Sequence, residues 1–161
     1  MSRRLAPFLL ATLLAFPALA QPAKVDFGGL KQDTSLPVNV EADSFTVNNA
    51  DGTAVFTGNV AVAQGEMKMS AAEVRVEYGA NGKGISKLHA TGGVTLSNAQ
   101  EAAEAQEAVY TIDSGTVVMT GNVLLTQGAS TLAGQKLTVQ LKDGTGVMEG
   151  RVSTTFVPGG N

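Results

Sequence analysis

The chain has 161 residues, a formal net charge of −3 at pH 7, no cysteine and a single histidine, His89. An acidic balance with only 16% charged residues excludes an electrostatic grip on nucleic acid, which needs a basic face. A lone histidine without cysteine leaves no triad or zinc set to assemble, so His89 reads as a surface residue and no enzyme, cofactor or metal site is expected.

The first residues, Met1-Ser2-Arg3-Arg4, lead into an apolar run over 5–20 that ends Ala18-Leu19-Ala20. Two arginines, a short apolar stretch and small residues at its end make a secretory signal peptide over 1–20. A membrane span needs about 20 apolar residues, and here Pro7 and Pro17 interrupt a shorter run. Without Arg3 and Arg4 the chain has 9 basic and 14 acidic side chains, a net charge near −5. An exported chain without disulfides must be held by its core and its backbone ladder. Residues 21–36 have no period and several loop formers, and are expected to be a flexible lead-in.

Pro37 and Pro158 bracket the expected folded domain, 37–158, with 159–161 as a tail. Inside it the pattern is strand, turn, strand. Val38, Val40 and Ala42 share one parity; Phe45 and Val47 have the other, which places a turn or bulge at Asp43-Ser44. Asn48-Asn49-Ala50-Asp51-Gly52 has hairpin chemistry. The phrase Phe56-Thr57-Gly58-Asn59-Val60-Ala61-Val62-Ala63-Gln64-Gly65 then alternates with period two. It returns around Gly92, Gly121 and Gly150, at steps of 34, 29 and 29 residues. At a constant offset of 63, Phe56, Gly58, Asn59, Val60, Val62, Gln64 and Gly65 map onto Met119, Gly121, Asn122, Val123, Leu125, Gln127 and Gly128. That ungapped match marks an internal duplication. Segment 98–108 (NAQEAAEAQEA) is rich in helix formers. Counting 16 from the unit glycine, however, puts Ala108 where the first unit has Val74, so 98–103 is expected as loop and 104–112 as strand.

The expected fold is all-β: an elongated antiparallel β-jellyroll or half-pipe of repeated hairpin units with one apolar interior. Among its inward residues, the candidate contacts for an apolar ligand are Val38, Val40 and Phe56 at the start, then Val60, Val62, Met67, Met69, Val74 and Val76, while Leu88, Ile112, Leu132, Leu137, Val139, Met148 and Val152 are expected inward as well. The second unit adds Val94, Leu96 and Tyr110, the third Met119, Val123 and Leu125. Such a stripe is either a filled core or a groove for an apolar ligand. Four inward glycines are expected to leave room, and the methionines to repack around a guest. A sheet that does not close has unpaired edges, which strand addition from another molecule satisfies.

The run Leu36-Pro37-Val38-Asn39-Val40-Glu41-Ala42-Asp43, with the phrase 56–65, resembles the start of the OstA-like family of lipopolysaccharide transport proteins. The resemblance extends from about Leu36 to Pro158. It implies a periplasmic β-jellyroll that binds lipopolysaccharide, shields the lipid A acyl chains in an apolar groove, and bridges an LptC-like inner-membrane partner to an LptD-like outer-membrane partner edge to edge. The unpaired edges themselves lead to the expectation of head-to-tail homo-oligomers. The family's lipid-contacting positions near the first strand correspond to Val38 and Val40. The rival reading is a secreted β-repeat scaffold that polymerises without carrying lipid.

Overall fold

The structure is a computed structural model and describes residues 23–26 and 30–157; the expected signal peptide and the tail lie outside them. The strands are β1 (Ala23–Asp26), β2 (Asn39–Glu41), β3 (Ser44–Asn48), β4 (Thr53–Gln64), β5 (Met67–Tyr78) and β6 (Ile85–Ser97). They continue with β7 (Glu101–Thr111), β8 (Thr116–Gln127), β9 (Ser130–Gln140), β10 (Thr145–Glu149) and β11 (Ser153–Thr155). All belong to one antiparallel sheet in the order β1-β10-β9-β8-β7-β6-β5-β4-β2, with β3 also on β4 and β11 also on β9. From β4 to β10 each strand lies beside its neighbour in sequence, as short hairpin turns dictate.

Each long pairing loses register near mid-strand, at Thr57/Val60, Ser70/Glu73, Thr91/Val94, Glu104/Glu107 and Thr120/Val123, and β5–β6 shifts again near its end at Glu77/Tyr78. Because Thr57 pairs with Glu73, Glu73 with Thr91, Thr91 with Glu107 and Glu107 with Thr120, the breaks form one line across the sheet. Along that line Gly58 and Asn59 have φ of +84° and +47°, and their duplicates Gly121 and Asn122 have +86° and +49°. Two successive left-handed residues bend a strand sharply, and glycine takes the first place because it has no Cβ to clash. A Cβ on Gly58 would lie 2.6 Å from Asp43 Oδ2. The expectation that the unit glycines leave space inside is therefore corrected: Gly92 and Gly150 are exposed, Gly58 and Gly121 half-buried, and what they supply is a backbone angle.

The bend folds the sheet into two facing halves. The first half carries an inward row of cross-strand pairs, Phe45, Phe56, Val74, Ala90, Ala108, Met119, Leu137 and Met148. The second carries Val40, Val62, Met69, Leu96, Ala103, Leu125 and Leu132. One face of an open sheet cannot be dry, yet Leu88, Leu96, Tyr110, Met119, Leu125, Leu137 and Met148 are each 0% exposed. The halves therefore pack against each other, and each fully buried aliphatic side chain contributes about 1.5–3 kcal/mol. β2 and β3 are short because the bend line cuts one edge strand in two, and β10 and β11 are the same strand pair at the opposite edge.

Two expectations need correction. β7 begins at Glu101, not 104. Its alanine- and glutamate-rich sequence favours a helix by a few tenths of a kcal/mol per residue, but β6 and β8 offer ladder partners on both sides, and Ala103 and Ala108 are buried on the inward face. The described parts of the expected lead-in, 23–26 and 30–36, also belong to the fold. β1 pairs with β10, and Leu30 is 2% exposed within the core. Apolar contacts and a backbone ladder hold them, which a scan for period alone does not detect.

Candidate functional site: the apolar interior and its mouth

Of the fifteen candidate contacts, Val60, Val62, Met67, Met69, Val74, Val76, Val94, Leu96, Tyr110, Met119, Val123 and Leu125 are all buried in a single cluster. Val38, Val40 and Phe56 pack against that cluster and are partly exposed. The structure thus brings all fifteen onto one surface. The interior runs the length of the sheet, dry in the middle and open at one end.

The open end is the β2–β3 edge. Phe45 is 53% and Val47 51% exposed, although their partners Phe56 and Ala54 place both on the inward face. The Phe45 and Phe56 rings stack with centroids 4.6 Å apart, tilted by 40°. No strand covers the outer side of β2 or β3 among the described residues, so this row ends in water. Phe45 and Val47 were absent from the expected site. The signal was present, since their change of parity after Asp43 is the bend line crossing the edge strand. Asp43 sits there, its amide donating to Gly58 O (2.9 Å) and its carboxylate accepting from Asn59 Nδ2 (2.8 Å).

The strand ends opposite the bend line form two lips, and residues 30–36 run between them. Gln32 N donates to Leu141 O (2.7 Å) on one lip, and the Gln32 side-chain amide donates to Gln64 O on the other. Gln64, the one buried polar side chain among the described residues, donates from Nε2 to Thr34 O (3.0 Å) and Leu36 O (2.8 Å). Its Oε1 accepts from the Tyr110 hydroxyl (2.7 Å), which reaches across from the facing half. Burial pushes the Tyr110 hydroxyl up to about 12, the bond to Gln64 opposing part of that rise. The side-chain polar atoms of Gln64 and Tyr110 all have partners, as burial in an apolar interior demands.

Catalytic chemistry has little to work with. His89 lies 3.6 Å from Glu107 on the exposed face. Lys87–Glu77 and Lys136–Glu149 are likewise surface pairs, worth little. No group of three or more His, Asp or Glu able to hold a metal occurs among the described residues. No helix among them is long and apolar enough to cross a membrane.

A folded antiparallel β-sheet with an apolar interior, a polar clasp between its lips and an open β2–β3 edge defines the β-jellyroll class of protein. Within that class the chain belongs to the family described as LptA/(LptD N-terminal domain) LPS transport protein, whose model matches residues 39–145. An uncharacterized protein of Rhizobium meliloti is 28% identical over 159 residues, covering 92% of this chain and 86% of its own. The lipopolysaccharide export system protein LptA of Escherichia coli K12 is 29% identical over 117 residues, 69% of this chain; the match spans 63% of that protein's length. In structure, the chain matches LptH of Pseudomonas aeruginosa, the LptA homologous periplasmic component of a lipopolysaccharide transport device. The TM-score is 0.69 at 20% identity, covering 79% of this chain and 99% of LptH, a likeness of fold. The all-β architecture read from the repeats is thereby borne out.

Proposed function

We propose that the protein works in the periplasm as a lipopolysaccharide carrier, sheltering lipid A acyl chains in its apolar interior and passing them along a row of related domains joined edge to edge. Each methylene left in water costs about 0.8 kcal/mol, so a glycolipid with several long chains crosses an aqueous gap only under cover. The observation that carries the reading is the inward row surfacing at one end, where Phe45 and Val47 are half exposed beside Phe56. An acyl chain laid on these residues continues the row that Val74, Met119 and Leu137 occupy further in. Val38 and Val40 flank the same opening, so these five residues are the first lipid contacts in this reading.

The partners are an LptC-like domain on the inner-membrane side and an LptD-like domain on the outer-membrane side, each adding a strand to an open edge. Family membership supports this, since the matching family is one of transport proteins rather than enzymes. Photocrosslinking residues placed at Val40, Phe45 or Phe56 in intact cells are expected to label lipopolysaccharide, with little labelling from exposed Asn59. Equal labelling from Asn59, or none anywhere while the protein still forms filaments, would favour the lipid-free scaffold.

A further inference from the structure

We propose that the hollow at the open corner of the molecule is a sugar site: it takes one pyranose ring, stacked on Tyr78, from the headgroup of a glycolipid whose acyl chains lie on Phe45 and Val47. The proposal rests on the carrier reading and adds headgroup recognition to it.

The hollow lies between two turns, one joining β3 to β4 and the other joining β5 to β6, and its volume is about 470 Å³. Small-molecule sites usually measure about 300–1,000 Å³. Val47 and Tyr78 form its apolar wall, 51% and 43% exposed. Asn48, Asn49, Asp51 and Thr53 form its polar wall. Val47 pairs with Ala54 and Ala54 with Val76, two residues before Tyr78, so the hollow continues the inward face from Phe45 and Val47 to the strand ends. Apolar surface on one side and hydrogen-bonding groups on the other suit a ring with a C–H face and a rim of hydroxyls. The face of an aromatic ring carries partial negative charge and attracts the weakly positive C–H groups of such a ring.

The polar wall is in place before any guest arrives. Asp51 Oδ1 accepts from the Thr53 amide (3.1 Å) and hydroxyl (2.6 Å), and its Oδ2 accepts from Asn48 Nδ2 (3.0 Å). A carboxylate has about four lone-pair sites, so these bonds fix Asp51 and leave it able to accept from a sugar hydroxyl. Acceptors already fixed in position cost less to order on binding. Gly52 and Gly82 also line the hollow, and a Cβ at either would meet nothing within 4 Å, so the backbone of both turns is open to a guest.

The repeat provides a control. At the offset of 63, the place of Tyr78 is taken by Leu141, which is 0% exposed. Its carbonyl accepts from Gln32 N (2.7 Å) in residues 30–36, the strap between the lips. A buried leucine fills the same place in the duplicate, so packing alone does not call for an aromatic ring at 78. The two tyrosines differ in the same sense. Tyr110 is 0% exposed and bonded to Gln64, whereas Tyr78 stands in water beside the exposed end of the inward row.

The chain has two tyrosines and no tryptophan, so acrylamide quenching of tyrosine emission reads Tyr78, the exposed one. Fully deacylated lipopolysaccharide supplies the saccharide without chains, a fatty acid supplies a chain without sugar, and intact lipopolysaccharide supplies both. The deacylated saccharide is expected to shield Tyr78 from acrylamide, at higher concentration than the intact glycolipid. Tyr78→Ala is expected to lower the ratio of lipopolysaccharide to fatty-acid affinity about tenfold, the size of one lost stacking contact with its buried area. Tyr78→Phe keeps the ring and should retain most of that ratio. Saccharide that leaves Tyr78 as accessible as before, or a ratio unchanged in Tyr78→Ala, overturns the sugar site; uptake of the fatty acid by the same protein then leaves the carrier reading standing. A loss in Tyr78→Phe as large as in Tyr78→Ala overturns stacking on the ring. Saccharide bound as tightly as intact lipopolysaccharide overturns the headgroup assignment in favour of a soluble sugar. If neither lipid is taken up while the saccharide still shields Tyr78, the carrier reading fails and the sugar site stands.

Discussion

One inward row begins at Phe45, more than half exposed, and ends at Met148, with no surface in water. Both are large apolar residues on the same face, in register with the same interior strands, and only their neighbours differ. Met148 has β9 on one side and β1 on the other, whereas Phe45 has β4 on one side and, among the described residues, no strand beyond. Exposure at an edge is thus a property of what lies alongside it, and the two ends of the molecule do different work with the same kind of side chain. The covered end stabilises the fold; the open end leaves apolar surface in water.

That contrast predicts an inversion. Leu137→Ala, in the middle of the row at 0% exposure, is expected to cost about 2–5 kcal/mol in denaturant unfolding. Phe45→Ala at the open end should cost about 1 kcal/mol, because much of its surface is already wet. Uptake of lipopolysaccharide per folded molecule should show the opposite order, with Phe45→Ala the more damaging. Parallel losses in both measurements would place the open end in the core and remove its role in binding.

The duplicated glutamines sharpen the same comparison. Gln64→Ala leaves the Tyr110 hydroxyl and the Thr34 and Leu36 carbonyls without their partner, for an expected loss of about 1–3 kcal/mol. Gln127→Ala, half-buried at the equivalent place, loses its hydrogen bond to Glu101 Oε1 and should cost about 0.5–1.5 kcal/mol, the smaller of the two. Amide exchange at Gln32 should rise in the first variant and not in the second.

Most of the fold was legible because strand periodicity and the Gly-Asn phrase are local signals, and the offset of 63 exposed the duplication directly. The burial of Val60, Val62, Met119 and Val123 followed from parity alone. What the glycines do was misread: a period-two pattern is unchanged by a two-residue insertion, so Gly58 and Asn59 look like continuous strand although they turn the chain through a corner. The strap was illegible for a different reason. Leu30 and Gln32 lie more than thirty residues from Gln64 in sequence, and neither parity nor composition indicates which polar side chain a distant loop will bury.

A further distinction follows from pH. The Tyr110 hydroxyl is raised from 10.0 to about 12 in the folded state, chiefly by burial. Its neutral form is therefore favoured by folding, and the stability tied to it is fully present below pH 10, then lost as pH rises through about 12. The clasp between the two lips should loosen in that window, seen as faster cleavage of the strap by an alkaline-tolerant protease. Tyr110→Phe should remove the step, though its clasp is already weaker at neutral pH. An unchanged alkaline step in that variant would assign the titration to another group.

The smallest effect separates the two ends of the bend line itself. Asn59 and Arg151 both hold left-handed angles, φ +47° and +51°. Asparagine tolerates this region, and here its side chain also donates to Asp43 (2.8 Å), so Asn59→Gly should lose about 0.5–1 kcal/mol, one hydrogen bond's worth. A long side chain at Arg151 has no such compensation from its own conformational preferences. Arg151→Gly relieves about 1 kcal/mol of strain while adding about 0.5–1 kcal/mol of unfolded-chain entropy, so its net effect should lie near zero or be slightly stabilising. Denaturant midpoints measured side by side check the sign. If Arg151→Gly proves as costly as Asn59→Gly, the arginine side chain is holding the β10–β11 corner as Asp43 and Asn59 hold the β2–β3 corner, and the two edges are more alike than their exposure shows.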